Sequence, residues 1–304
     1  MTLRRLEFFL QPPFCVVRAP DIFFTILEKG KDKLVKLGDI AEVRRGFTTG
    51  VNEFFYLTDD LIREWKIEPE FLKPVIKSPR ECKSILVNPK DLKYKIFICN
   101  KSKAQLKGTN ALKYIDWGEK QKTKDGVYWK DVPSVSGRKY WYGLTERKSA
   151  RINFNYLIDE IGISYIGNAI VSDNFQEIHT DKNIEVFLNS FVFYLFQVNS
   201  GRVGFGGGLL KIQTYELNRL PVMEIKVTRL KYLQENKKSI FDECGIDPKS
   251  KIPIEEQEPK PLSDRAELDK IVFDALDFTS DERKEVYRAV CRLVWNRISK
   301  AKSV

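Results

Sequence analysis

Histidine is almost absent from this chain of 304 residues, which contains a single one, His179, and only two methionines. Any mechanism that needs an imidazole as a general base, a proton carrier or a metal ligand therefore depends on that one side chain. His179 lies in a polar stretch with Asp173, Glu177 and Asp181, and this setting predicts a solvated surface residue. The sequence thus gives little support to histidine-based catalysis.

Cysteines are few, odd in number and far apart, and no two of them are separated by only two residues. This spacing argues against a disulfide framework and against a zinc site, and it favours a reducing, cytoplasmic environment. The five cysteines are Cys15, Cys82, Cys99, Cys244 and Cys291.

Long apolar runs are also missing. The longest, residues 191–196, is far shorter than the roughly 20 residues that cross a bilayer. Near the start, Glu7 and the pair Pro12-Pro13 interrupt the apolar core that a signal peptide needs. We therefore expect neither a membrane span nor an export signal.

Motifs for cofactors and metals are incomplete. The glycine run at 204–208 lacks the third spaced glycine of a dinucleotide-binding loop and follows a predicted helix, not a strand. Gln11-Pro12-Pro13-Phe14 is similar to the motif of amino-methyltransferases, but glutamine is one methylene too long and only ten residues precede it. Glu224-Ile225-Lys226 gives the Glu-x-Lys of some nucleases without an upstream Pro-Asp. We expect no catalytic residue, no metal and no cofactor in this chain.

Positive charge is concentrated in the first part of the chain. The net charge is +10, yet residues 253–304 hold ten Lys/Arg against eleven Asp/Glu, which leaves +11 on residues 1–252. Such a field attracts polyanions, and the release of counterions from phosphates makes the attraction strong. Charge alone therefore makes nucleic acid the leading class of partner.

Short apolar and β-branched runs predict strands at 37–43, 54–57, 85–87 and 96–99, while the apolar spacing at 183–198 predicts a buried helix. The fold class that we predict is α+β: a mixed, mainly antiparallel sheet domain with packed helices, plus a C-terminal helical hairpin.

Three features mark the later part of the chain. A basic amphipathic helix is expected from Val227 to Cys244, ending at Gly245. The proline-rich segment 249–263 predicts an extended linker. Helices follow at 266–276 and 281–301, the second with Thr279 as N-cap and Glu282 as its capping-box partner. The predicted division is a lead-in at 1–36, a recognition domain at 37–248, the linker, and a helical appendage at 264–304.

Cations and aromatic rings coincide between residues 120 and 151, where nine basic residues face three acidic ones. Side chains of this kind bind phosphates, and an arginine that reaches a guanine pairs with both of its acceptors, so that its loss relaxes one base position. An ordinary solvated loop over a core aromatic cluster explains the same composition. The candidates for DNA contact in this region are Arg138, Lys139, Tyr140, Arg147 and Arg151.

The glycine run offers a second candidate. Gly206 and Gly207 have no Cβ, so their backbone N–H groups can approach a phosphate closely, with Lys211 nearby. A plain flexible turn is the alternative.

Residues 37–57, which run from Leu37-Gly38-Asp39 through Arg44-Arg45-Gly46 to Phe55-Tyr56-Leu57, resemble the start of the target-recognition domain of Taq-type N6-adenine DNA methyltransferases. More distantly, they are similar to type I restriction specificity subunits. Three further stretches also resemble this methyltransferase family: 18–21 is similar to its lead-in, 206–221 to the end of its recognition domain, and 268–303 to its C-terminal helices.

The resemblance implies a module that docks on double-stranded DNA, reads a short site through groove contacts and positions a separate catalytic domain that flips the adenine. The residues that it places near the DNA-facing loop are Arg44, Arg45, Thr48, Thr49 and Asn52.

The function expected from the resemblance is sequence-specific recognition of double-stranded DNA for an adenine-specific methyltransferase of a restriction-modification system. The catalytic domain, with its S-adenosylmethionine, is expected in a missing domain or a partner subunit. Two alternatives stay open: a restriction endonuclease component that uses Glu224 with a metal, and a non-catalytic assembly subunit that acts through the helices after Ser263.

Overall fold

A computed structural model describes residues 19–203, 208–226 and 238–302 of the chain. More of these residues lie in helices than in strands. Short 3₁₀ turns occur at 69–71, 79–81, 89–91, 129–131 and 254–256. None of the described helices is both long and apolar enough to span a bilayer. In chain order the α-helices are α1 (Asp21–Lys29), α2 (Leu37–Ile40), α3 (Asn52–Phe55), α4 (Asp59–Trp65), α5 (Asn110–Gly118), α6 (Pro133–Ser136), α7 (Glu185–Leu188), α8 (Phe191–Ser200), α9 (Thr214–Leu217), α10 (Ile240–Cys244), α11 (Ser263–Ala275) and α12 (Ser280–Lys302).

The strands are short and form four small sheets, with the orders β1-β13, β2-β10-β6-β8, β11-β12-β7 and β3-β5-β4-β9. Pairing is antiparallel except between β4 and β9. The strands are β1 (Val35–Lys36), β2 (Glu42–Arg45), β3 (Tyr56–Leu57), β4 (Leu72–Ile76), β5 (Tyr94–Phe97), β6 (Ile152–Asn155), β7 (Leu157–Ile158), β8 (Ser164–Ile166), β9 (Ile170–Val171), β10 (Phe175–His179), β11 (Arg202–Val203), β12 (Leu210–Lys211) and β13 (Pro221–Val222). The predicted α+β class, with mainly antiparallel pairing and helices at the C-terminal end, is confirmed.

The larger of two main cores lies on one face of the sheet β2-β10-β6-β8. Because side chains alternate along a strand, Ile152, Phe154 and Ile178 point into it together. Helix α8 is apolar on almost every side, from Phe191 to Phe196, and is buried accordingly. Helices from both ends of the chain, α1 and α12, pack against α8.

The second core is aromatic and supports the segment that follows β2. Phe54 is fully buried at its centre and stacks on Tyr114, with ring centroids 4.8 Å apart. Trp129 and Trp141 close the cluster around the same ring. The aromatic residues of the basic region therefore contribute largely to a core, as the second explanation of that region supposed.

Several predicted strands are corrected. The segment 37–40 is one helical turn, and the strand begins only at Glu42. Leu37 and Ile40 are three residues apart, which places them on one side of a helical turn but on opposite faces of a strand. The backbone N–H of Leu37 donates to Leu220 O at 3.0 Å. At 54–57 only the last two residues are extended, and at 85–87 there is a single bridge from Leu86 to Ile166. The run at 96–99 overlaps β5, although β5 begins at Tyr94.

The predicted helices need smaller changes. The helix at 183–198 is divided into α7 and α8 at Asn189 and Ser190, whose hydroxyl accepts from Phe193 N as an N-cap. In the predicted helix at 227–244, residues 227–237 lie outside the described part, and α10 begins only after Ser239. It ends at Gly245, which has the left-handed conformation expected of a C-cap (φ +65°).

The C-terminal hairpin is present, and its capping box is confirmed. Thr279 N donates to the Glu282 carboxylate at 2.7 Å, and Glu282 N donates back to the Thr279 hydroxyl at 3.3 Å. These reciprocal bonds satisfy backbone donors that the first turn of a helix leaves free.

The prediction of an extended linker at 249–263 is wrong, because this segment packs against the large core and bonds to the end of α10. Ile254 is buried in the large core, and Lys260 N donates to Cys244 O at 2.8 Å. Next to the segment, the fully buried Arg265 of α11 pairs with Glu243 of α10 at 2.7 Å. The large core thus includes side chains from both sides of the predicted boundary.

Candidate nucleic-acid interface

The loop at residues 45–52, called the recognition loop below, connects β2 with α3 and has a fixed backbone. Phe47 N donates to Val171 O at 2.8 Å, and Asp173 N donates to Phe47 O at 3.0 Å. Gly46 lies so close to Ser172 that an added Cβ would be 2.0 Å from its carbonyl oxygen. Only glycine fits there, so the loop starts from a defined position.

Three polar side chains of the loop differ in exposure. Thr48 and Asn52 are exposed, whereas Thr49 is buried. The Thr49 hydroxyl donates to Asn52 Oδ1 at 2.6 Å, and the Thr48 hydroxyl makes a longer bond to Asp173 Oδ2 at 3.4 Å. Thr48 and Asn52 are therefore available to a ligand, while Thr49 orients Asn52 from below.

Arg138 is half-buried and supports the loop from behind. Its Nη2 donates to the carbonyl oxygens of Thr48, at 3.0 Å, and Thr49, at 2.9 Å. Its Nη1 donates to Gly143 O at 3.3 Å, and the guanidinium lies 5.5 Å from the centre of the Phe55 ring. Burial lowers the pKa of this guanidinium. These contacts direct the Arg138 donors to the protein's own backbone.

Arg147 has a similar inward arrangement. Its Nη2 donates to Arg45 O at 2.8 Å and lies 3.0 Å from Glu177 Oε2, and its guanidinium covers the Phe47 ring at 4.0 Å. Glu177 is fully buried. Burial raises the pKa of Glu177, and the charges of Arg147 and Arg44 act in the opposite direction. Arg147 therefore joins the start of the recognition loop to a buried carboxylate.

Arg45 and Lys211 are brought together around one ring that the sequence reasoning did not single out. The Arg45 guanidinium lies 4.3 Å, and the Lys211 ammonium 5.1 Å, from the centre of Tyr156. Burial alone raises the pKa of Tyr156, but its bond with Lys211 and the charge of Arg45 lower it below the usual value. The Tyr156 hydroxyl donates to Gln213 Oε1 at 3.1 Å. The sequence does not reveal that these two cations share one tyrosine ring, because the three residues are far apart in the chain.

The other candidates of the basic region, Lys139, Tyr140 and Arg151, differ in their contacts. Lys139 is exposed, with its ammonium 5.2 Å from the ring centre of Tyr140, and Tyr140 stacks on Tyr142. Arg151 instead pairs with Glu185 and donates to Lys182 O at 3.2 Å. Arg151 is thus directed toward α7, unlike Arg138 and Arg147.

Arg44 is exposed on β2 and forms a fork with Glu42, with Nη2 2.6 Å from Glu42 Oε2. This neighbour raises the pKa of Arg44. The prediction that His179 is a solvated surface residue is wrong. Its side chain is only 18% exposed, and its Nε2 lies 3.9 Å from Glu177 Oε2. Burial lowers the pKa of His179, and the charge of Arg44 acts in the same direction.

Gly206 and Gly207 lie outside the described residues. Gly208, at the end of that run, has a left-handed backbone (φ +70°) and lies against α12. Arg297 of α12 donates to Gly208 O at 2.7 Å and to Glu160 O at 2.7 Å. The C-terminal helix thus holds the point where the glycine run ends.

The described residues include no group of three or more His, Cys, Asp or Glu side chains that could hold a metal ion. Glu224, the residue of the Glu-x-Lys pattern, accepts a long bond from Asn183 N at 3.5 Å.

Comparison with known proteins shows a family and two similar proteins. The family model described as Type II methyltransferase M.Eco57I, C-terminal domain, matches residues 23–247. Type II methyltransferase M.AccI of Acinetobacter calcoaceticus is 25% identical over 211 residues, which make up 63% of this chain and 37% of that protein. The solved structure of the type IIG restriction endonuclease BpuSI shares the fold, with a TM-score of 0.57 and 14% identity over 93% of this chain and 34% of that chain.

The chain therefore spans only about a third of the length of these two proteins. The family model, in contrast, covers well over half of the chain. The chain belongs to the family of C-terminal domains represented by that of the Type II methyltransferase M.Eco57I.

Proposed function

We propose that this chain recognises a specific sequence in double-stranded DNA for an adenine-specific (N6) DNA methyltransferase of a restriction-modification system. The supporting observation is the recognition loop, which exposes Arg45, Thr48 and Asn52 while Arg138 and Arg147 hold its backbone by hydrogen bonds. Membership in a family of methyltransferase C-terminal domains supports the same function.

A rigid loop with short polar side chains is suited to reading base edges. An arginine offers two parallel donors to the acceptors of a guanine, and an asparagine offers a donor and an acceptor to an adenine. Discrimination is best when these groups are held before binding, because less conformational freedom is lost in the complex. Arg138 and Arg147 supply this support from inside the protein, so we assign them to positioning the loop and Arg45, Thr48 and Asn52 to the bases.

Lys139, Tyr140 and Lys211 are proposed to contact the same duplex beside the loop. Two of these residues are cations and one is an aromatic ring, which together suit a sugar-phosphate chain. Arg44 and Arg151 form close pairs with Glu42 and Glu185, so we propose smaller contributions from them. Arg45 Nη2 lies farther from its carboxylate neighbour, 4.0 Å from Asp173 Oδ2, and its Nε donates to Asp173 O at 3.2 Å. The glycines at 206 and 207 remain proposed phosphate contacts.

Methyl transfer itself is proposed to take place in a catalytic domain or subunit outside these 304 residues, where S-adenosylmethionine binds. In this arrangement the chain is not an enzyme on its own: it selects the site, and its partner flips and methylates the adenine. Such a system works in the cytoplasm, where the DNA is.

The test is selection of duplexes from a randomised library by the full chain at rising salt. A recognition domain enriches one short motif, and Arg45→Ala and Asn52→Ala each relax one position of it at a cost of about 1 to 3 kcal/mol. Arg63→Ala is the matched control, since it removes an exposed arginine of α4 that is paired only within its own helix. Enrichment of no motif, or of an unchanged motif by both loop variants, would refute the proposal.

The same preparation separates the alternatives. A restriction endonuclease component cleaves the selected duplex when Mg²⁺ is added, and cleavage stops on replacement of Glu224. An assembly subunit binds no duplex even at low salt, where electrostatic binding is strongest. Either result would replace DNA recognition as the function of this chain.

A further inference from the structure

A second basic surface adjoins the recognition loop on the sheet β11-β12-β7. The register of this sheet places Arg202, Lys211 and Leu157 in one row across three strands. The neighbouring row contains Leu210 and Ile158, which are fully buried, and Val203 of the edge strand, which is exposed. Arg202 and Leu157 are themselves exposed, and successive side chains of a strand point to opposite faces, so the row with Arg202 and Lys211 faces solvent.

Two cations directly opposite each other on paired strands repel one another. Arg202 is partly compensated by Glu216, at 2.6 Å. Lys211 has no carboxylate within 4.0 Å among residues 19–203, 208–226 and 238–302, and lies over Tyr156 instead. The row therefore has a surplus of positive charge that an anion would balance.

Helix α9 adds an exposed ring that two guanidiniums approach. Tyr215 is 47% exposed, and the guanidiniums of Arg202 and Arg219 lie 5.4 and 5.8 Å from its centre. Helix α9 lies beside β2, which carries Arg45. Arg202, Lys211, Tyr215 and Arg219, called the hairpin patch below, thus continue the surface that begins at the recognition loop.

We propose that the hairpin patch binds the phosphate backbone of the duplex whose bases the recognition loop reads; this inference rests on the proposed function. Charge favours a polyanion, since the patch has three cations and, within the described part of the chain, its salt bridges involve one carboxylate, that of Glu216. Guanidiniums pair with phosphate oxygens through two donors, and an exposed tyrosine packs on sugar or base. Contacts of this kind set the position of the protein on DNA without reading sequence.

The experiment compares the full chain with the variant Arg202→Gln/Arg219→Gln on the selected duplex and on a scrambled one. Each lost phosphate contact lowers the slope of log Kd against log salt by about 0.9, so the double variant loses about 1.8. The ratio of variant to wild-type Kd then falls about tenfold between about 50 and 200 mM salt, equally for both duplexes. The selected motif stays the same.

The control Arg63→Gln/Lys270→Gln removes the same charge from α4 and α11, and its salt slope stays close to that of the wild type. Thermal unfolding of every variant shows whether the fold is kept. Tyr215→Phe keeps the ring and binds as the wild type does, whereas Tyr215→Ala weakens binding to both duplexes.

An unchanged salt slope in Arg202→Gln/Arg219→Gln, with the fold intact, would overturn the inference, and the surface would then be free to face the catalytic domain. The loss of one base preference in place of a uniform loss would overturn it as well. If the wild type selects no motif but the double variant still loses salt-dependent binding, the proposed function fails and the phosphate contact stands. If the wild type selects a motif and the double variant binds normally, the proposed function stands and the phosphate contact fails.

Discussion

Replacement of Arg147 by alanine tests whether a buried charge holds the recognition loop. The change removes the ion pair of Glu177 at 3.0 Å and the bond to Arg45 O at 2.8 Å, and leaves a carboxylate buried without its main counterion. Breaking a fully buried pair costs about 3 to 5 kcal/mol. Because the Arg147 side chain is 31% exposed, water supplies part of the compensation, and we expect about 2 to 3 kcal/mol at neutral pH.

The loss of unfolding free energy caused by Arg147→Ala should be smaller at low pH than at high pH. Burial raises the folded-state pKa of Glu177 above its value in the unfolded chain, and loss of Arg147 removes a charge that opposed this rise. The protonated carboxyl is compatible with burial, so its favourable contribution is present at low pH and is lost as pH increases through the raised pKa. We therefore expect Arg147→Ala to be closer to the wild type at about pH 5 than at about pH 8.

The assay is urea unfolding of the wild type, Arg147→Ala, Glu177→Gln and the double variant at both pH values. Removal of the carboxylate charge should restore part of the stability lost in Arg147→Ala, since no ion is then left uncompensated. Arg44→Ala is the control: this arginine also faces Glu177 electrostatically but is exposed and paired with Glu42, so a smaller, less pH-dependent change is expected. Equal stability of Arg147→Ala at both pH values, or no rescue in the double variant, would refute the reasoning.

Three other substitutions test the fold around this site. Gly46→Ala places a methyl group against Ser172 O, so urea unfolding should show a loss of about 1 to 3 kcal/mol, with weaker binding to the selected duplex; unchanged binding would count against a fixed loop. Arg265→Ala leaves Glu243 buried and unpaired and should cost about 3 to 5 kcal/mol in the same assay; a cost below about 1 kcal/mol would mean that the pair does not join α10 to α11. Thr279→Ala removes the N-cap of α12 and should cost about 1 kcal/mol, whereas Thr279→Ser should restore it; equal stability of both variants would contradict the capping role.

Local signals in the sequence led to correct local structure. The capping box of Thr279 and Glu282 uses residues three apart, so its bonds were predictable without knowledge of the rest of the fold. The same holds for Gly245, whose left-handed backbone ends α10. The strand predicted at 37–43 was wrong at its beginning, where residues 37–40 form a helical turn. Leu37 and Ile40, three residues apart, share one side of such a turn but lie on opposite faces of a strand.

The direction of the basic side chains was not predictable. Composition counts the charges of Arg138 and Arg147, but their partners lie far away in the chain, at Thr48 and Thr49 for one and at Arg45 and Glu177 for the other. Residues that appear suited to reading guanine are thereby turned inward to support the loop.

Apart from Lys211, the residues of the hairpin patch were not predictable, for a different reason. Strands β11 and β12 have two residues each, which is too short for an alternating pattern to be recognised. Arg202 and Lys211 become neighbours only through the pairing of these strands, and the Tyr215 ring comes close to Arg202 only through the position of α9.

The division of labour between loop side chains and supporting arginines is tested most directly by duplex selection with Asn52→Ala and Arg138→Ala side by side. We predict that Asn52→Ala relaxes one base position, while Arg138→Ala weakens binding at every position of the motif because the whole loop loses its support. Relaxation of a single position by Arg138→Ala, with an unchanged motif in Asn52→Ala, would contradict this division.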